Sequence, residues 1–127
     1  MLPKGVILRT EKNVLYWRNT TYNISVEEAA TVAAEIIKLA QSPEVQVMLI
    51  DNRGARGAWP MEVNPIWGEL MGALAKQIHK SATVAGTVVV MQINRLSKAS
   101  GTLEQIQAFE TIRQAQAFLG VSLASFE

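Results

Sequence analysis

The stretch IDNRGARGAW, Ile50–Trp59, gathers one carboxylate, two guanidinium groups, two glycines and an indole into ten residues. Asp51 is a hydrogen-bond acceptor and a candidate capping group. Arg53 and Arg56 are forked donors that suit a carboxylate or a phosphate, and Trp59 offers a large apolar contact. The stretch follows the apolar run Val45–Asp51 and precedes a helical pattern. It therefore falls at the carboxyl end of a strand, where open α/β sheets bind ligands and helix N-termini favour anions. The competing reading is a solvated turn in which Asp51 caps Asn52–Gly54 or pairs with an arginine. The candidate partner- or ligand-binding set is Asp51, Asn52, Arg53, Gly54, Arg56 and Trp59.

Other chemistry is sparse. Asp51 and Glu62 form a carboxylate pair whose separation the sequence does not define. GARG lacks the glycines of a dinucleotide loop, and SKASGT (Ser97–Thr102) lacks the frame of a phosphate-cradling loop. In that polar segment Arg95 and Lys98 flank Ser97 and Ser100, which are candidate modification sites. His79 is placed at the end of a helix, where a capping or surface role is expected. With no cysteine and one histidine, thiolate chemistry and a multi-histidine metal site are excluded within one chain. No catalytic residue, metal or cofactor is assigned, and enzymatic activity is not expected.

Elements must position these groups. Gly5–Thr10 and Asn13–Asn19 are β-rich runs that suit an edge hairpin, with Tyr16 and Trp17 on opposite faces. Ser25 and Glu28 make a capping box ahead of a helix that Pro43 closes. Val45–Asp51 is apolar on both faces, as a central strand between helix layers should be. Asn64 and Pro65 read as N-cap and first residue of a second helix carrying Ile66, Trp67, Leu70, Met71, Leu74 and Ile78. Gly68 and Gly72 share a face and would admit a close neighbour. Ala82–Ile93 is β-branched and reads as another central strand, followed by a polar loop or irregular turn at Asn94–Thr102. Glu104–Glu110 can supply a last strand, and Thr111–Gly120 a last helix. The expected class is α/β, a four- to five-stranded mostly parallel sheet with an antiparallel edge hairpin and helices packed on it, in the order β-β-α-β-α-β-β-α.

At 127 residues the chain suits one domain spanning 1–127, since domains cluster at about 100–150 residues. A hydrophobic share of 49% against 18% charged excludes wholesale disorder. A net charge of +1 provides no global field for nucleic acid. The apolar runs fall short of the roughly 20 residues of a membrane helix, and no targeting segment is evident, so a cytoplasmic location is expected.

Three segments, MLID before a glycine-bearing loop, GTVVVMQ taken as the next strand, and AFETIRQAQAFLG, resemble the STAS domain and its single-domain, anti-sigma factor antagonist-like bacterial relatives. Phe109, Ala115 and the Phe118–Leu119 pair in the last segment are the most specific part. The resemblance implies protein–protein signalling or ligand sensing rather than catalysis. In anti-sigma factor antagonists the loop after the central strand carries a serine that a partner kinase phosphorylates. Here no serine or threonine lies between Ile50 and Trp67, so that switch is missing. The expected function is a regulatory module docking a protein partner through the Asp51–Trp59 loop, with homodimerisation through a strand edge or helix face. The alternative is a carrier or sensor of an apolar or anionic metabolite, with a deep apolar pocket near Trp17 or Trp59.

Overall fold

The structure is a computed structural model and describes residues 2–57 and 60–121. The chain opens with β1 (Val6–Glu11) and β2 (Val14–Asn19), an antiparallel pair registered from Val6 opposite Asn19 to Glu11 opposite Val14. Helix α1 (Val26–Ala40) starts at a reciprocal capping box: Glu28 N–H donates to Ser25 Oγ (3.1 Å), and Ser25 N–H donates to Glu28 Oε1 (3.0 Å). Strand β3 (Val47–Asp51) is buried along its whole length. Helix α2 (Asn64–Leu74), β4 (Lys80–Val84), α3 (Thr87–Ser100), β5 (Ile106–Phe109) and α4 (Ile112–Leu119) follow. The strands lie in the order β1-β2-β3-β4-β5, parallel from β2 onward.

Period-two alternation divides the sheet between two cores. Leu15, Trp17, Met48 and Ile50 face α1 and α2, and pack with Val32, Ile36, Leu70 and Leu74. Val14, Tyr16, Val47, Leu49, Ala82 and Val84 face the other way, toward Ala115 and Leu119 of α4. The expected class, with its edge hairpin and parallel centre, is what the chain adopts.

Several local expectations are corrected. The run Ala82–Ile93 is not one strand: β4 ends at Val84, and Thr87–Ser100 is α3, so GTVVVMQ is helical and Asn94–Ser100 is not a loop. The element order is therefore β-β-α-β-α-β-α-β-α. Parallel neighbours β4 and β5 need a crossover of about a dozen residues or more, usually a helix, and this requirement outweighs the β-branched propensity. Gly86, in extended conformation, marks the break, after which Val90, Asn94 and Ser97 recur at helical spacing on the less exposed face.

Asn64 is the first helical residue of α2 rather than its cap, because a short 3₁₀ turn, Met61–Val63, leads into the helix. Gly68 and Gly72 are exposed, with no neighbour near a would-be Cβ, so they admit no close approach. The buried stripe of α2 is Leu70 and Leu74. His79 lies past the helix, in the connection to β4, where its backbone N–H donates to the Gln46 carbonyl (2.7 Å).

The edge strand β5 has an unusual partner. In a parallel strand alternate residues bond to opposite sides, and the outward groups of Ala108 meet a side chain. Ala108 N–H donates to Asn94 Oδ1 (2.7 Å), and Asn94 Nδ2 donates to the Ala108 carbonyl (3.0 Å). The carboxamide of α3 thus completes the ladder at that residue.

Candidate functional site

Asp51 closes β3 with its side chain 1% exposed, and buried carboxylates need partners. Arg53 provides a fork, Nε to Oδ1 at 3.0 Å and Nη2 to Oδ2 at 2.9 Å, and its own N–H donates to Oδ1 at 3.0 Å. From β2, Tyr16 Oη donates to Oδ2 at 2.7 Å. Burial alone would push the Asp51 carboxyl up, but the bonds from Arg53 and Tyr16 hold it below the usual carboxylate range. The same burial, together with the hydrogen bond to Asp51, pushes the Tyr16 hydroxyl up to about 12. Arg9, opposite Tyr16 in the hairpin register, lies over its ring at 4.8 Å.

A second chain of bonds runs on the other face of the sheet. Trp17 Nε1 donates to Asn19 Oδ1 (3.0 Å), and Asn19 Nδ2 donates to Asn52 Oδ1 (2.8 Å). The loop itself turns tightly, with Ala55 N–H donating to the Asn52 carbonyl (3.1 Å) and Gly54 at φ +77°. That positive φ in the third position of the turn is one that glycine tolerates without strain.

Beyond the turn the loop is tied to the segment after β2. Arg56 N–H donates to the Thr20 carbonyl (3.3 Å), and Tyr22 N–H donates to the Arg56 carbonyl (2.7 Å). Gly57, at φ +88°, sits so close to Asn23 that a Cβ there would come within 2.8 Å of its side chain. The backbone from Asp51 to Gly57 is held on both sides, while Arg53, Gly54, Arg56 and Gly57 remain exposed.

The six expected site residues thus divide. Asp51, Asn52 and Arg53 form the bonded base of the loop, Gly54 makes its turn, and Arg56 stands on its exposed rim. Trp59 lies outside the described residues. Ser97 lies on α3, 5% exposed, and Ser100 ends that helix, its side chain outside the description. Trp17 is 4% exposed and packs on Trp67 with ring centroids 5.3 Å apart, within the α1–α2 core.

Tyr16, Asn19, Thr20 and Tyr22 were not among the expected site residues. The alternation that puts Tyr16 and Trp17 on opposite faces was visible in sequence. That Tyr16 shares a face with Asp51 depends on the parallel register, Tyr16 beside Leu49 and Arg18 beside Asp51. Among the described residues no group of three or more His, Cys, Asp or Glu could hold a metal ion. No helix there is long and apolar enough to cross a membrane.

This arrangement, an edge hairpin continued by parallel β-α units with the loop after β3 at the carboxyl end of the sheet, matches the SpoIIAA-like fold. The chain is similar to an uncharacterised protein of the DUF3478 family with that fold from Shewanella loihica PV-4: TM-score 0.68, 14% identity, covering 90% of this chain and 91% of the other. It is also similar to part of an enoyl-CoA hydratase from Mycobacterium avium subsp. paratuberculosis K-10, with TM-score 0.50, 22% identity and coverage of 63% and 35%. Likeness at these identities concerns the fold alone. No protein-family model and no curated protein matches the chain.

Proposed function

We propose that the protein is a non-enzymatic cytoplasmic regulatory module of STAS-like type, which docks a protein partner through the loop after β3 without a phosphorylatable serine there. The observation that supports this is a loop both exposed and anchored. Asp51 grips Arg53 from below, and the segment after β2 holds Arg56 from the side. Fixing a loop before binding lowers the ordering cost of association, and exposed Arg56 suits a partner that presents carboxylates. The fork between Arg53 and Asp51 makes Arg53 a positioning residue, so its outer edge is offered in one orientation.

This geometry decides how the reading is tested. Arg53→Ala would strip Asp51 of its cation and disturb the loop, whereas Arg56 meets its neighbours through backbone atoms. Affinity capture from bacterial cytosol should therefore compare wild type with Arg56→Glu, both verified by thermal melting. A protein retained by wild type and reduced by about tenfold or more with Arg56→Glu is the expected result. Equal recovery by both would overturn docking through this loop.

A further inference from the structure

Arg18 of β2 stands beside Asp51 in the parallel register, yet the two are not paired. The carboxylate is already full. Its Oδ1 accepts the Arg53 backbone N–H and Nε, and its Oδ2 accepts Arg53 Nη2 and Tyr16 Oη, which occupies the four positions a carboxylate offers. Arg18 is exposed and has no hydrogen bond or ion pair among the described residues. Alternation along β2 puts it on the same face as Tyr16. There its charge acts with that of Arg53 to lower the Tyr16 titration, against the effect of burial.

This part of the sheet is open. Helix α4 packs on β3, β4 and β5, and the hairpin beyond it leaves Ile7, Arg9 and Arg18 exposed on the same face. Glu11 is the one acid of the hairpin, and it lies opposite Val14, two rows of that face away from Arg18. We propose that Arg18 and the outer edge of Arg53 form an oxyanion site that takes the phosphate group of a small phosphate monoester. Two neighbouring guanidinium groups suit a dianion better than a carboxylate. Arg53 is already oriented by its fork to Asp51, which lowers the cost of ordering it. Ile7, 45% exposed and directly opposite Arg18, is within side-chain reach on that face and gives the ester group an apolar contact. The site needs no partner protein, so it stands apart from docking at Arg56.

Titration of the full chain with phenyl phosphate, inorganic phosphate and benzoate at constant ionic strength tests this, followed by NMR of the backbone and arginine Nε–H signals. Saturable shifts at Arg18 and Arg53 are expected, at the millimolar affinity of exposed charges, with phenyl phosphate bound more tightly than either other probe. Arg18→Gln should weaken phenyl phosphate about tenfold. Arg18→Lys should weaken it less, since the charge stays and the fork goes. Ile7→Ser should bring phenyl phosphate to the level of inorganic phosphate. Circular dichroism establishes that every variant is folded. Shifts that never saturate, or that are matched at Arg95 of α3, overturn the proposal. So does an Arg18→Gln variant that binds like wild type, or phenyl phosphate bound no more tightly than benzoate or inorganic phosphate.

Discussion

Tyr16 and Asp51 are linked by a hydrogen bond, and folding moves their titrations in opposite directions. The raised value of Tyr16 means that folding favours its neutral form. Its contribution to stability is complete below the ordinary tyrosine value of about 10 and is lost as pH climbs to about 12. The lowered value of Asp51 means that folding favours the carboxylate. Its contribution is complete above the ordinary value of about 3.9 and is lost as pH falls through the lower folded value. With Tyr22→Phe leaving Tyr16 as the one tyrosine, ultraviolet titration should show tyrosinate forming near pH 12. Adding Asp51→Asn should bring the midpoint down, because it removes the adjacent charge. A parent midpoint near the ordinary value would contradict the buried pair. Asp51→Asn should also lower stability by roughly 1–3 kcal/mol, the usual effect of spoiling buried hydrogen bonds, as read from denaturant midpoints.

At the scale of elements, the Asn94 carboxamide ties α3 to the sheet edge. Asn94→Ala should cost about 1–3 kcal/mol, since both outward groups of Ala108 lose their partner. It should also raise the tendency to aggregate, because an uncovered edge strand invites pairing. Asn94→Asp keeps the acceptor and loses the donor, so its unfolding midpoint should fall between those of Asn94→Ala and wild type.

The same helix shows where sequence reading stops. The capping box of α1, the buried run of β3, and the close of α4 at Gly120 in the left-handed region were legible, because local chemistry and tertiary context agree there. Thr87–Met91 was not, since β-branched residues argue for a strand and only the connection between β4 and β5 demands a helix. In the candidate site the loop's position and Gly54's turn were legible. The bonding of Asp51 to Tyr16 was not, because it spans 35 residues and depends on register.

Across the whole molecule one sheet serves both cores, so loosening either should loosen both. We propose that the chain unfolds as a single domain, with tryptophan fluorescence and far-ultraviolet circular dichroism giving coincident melts. Leu15→Ala in the α1–α2 core and Leu49→Ala in the α4 core, both 0% exposed, should each cost about 2–5 kcal/mol and keep the transitions coincident. Separate transitions would reveal two independent units.

The bond between Ala108 and Asn94 also makes a natural clock. Most sheet amides exchange with solvent deuterium when strands part. The Ala108 amide is bonded to a helix side chain instead, so its exchange is gated by the lifting of α3, while the inward-facing amides of β5 wait for the sheet to open. One amide signal therefore times how often α3 lets go of the sheet edge.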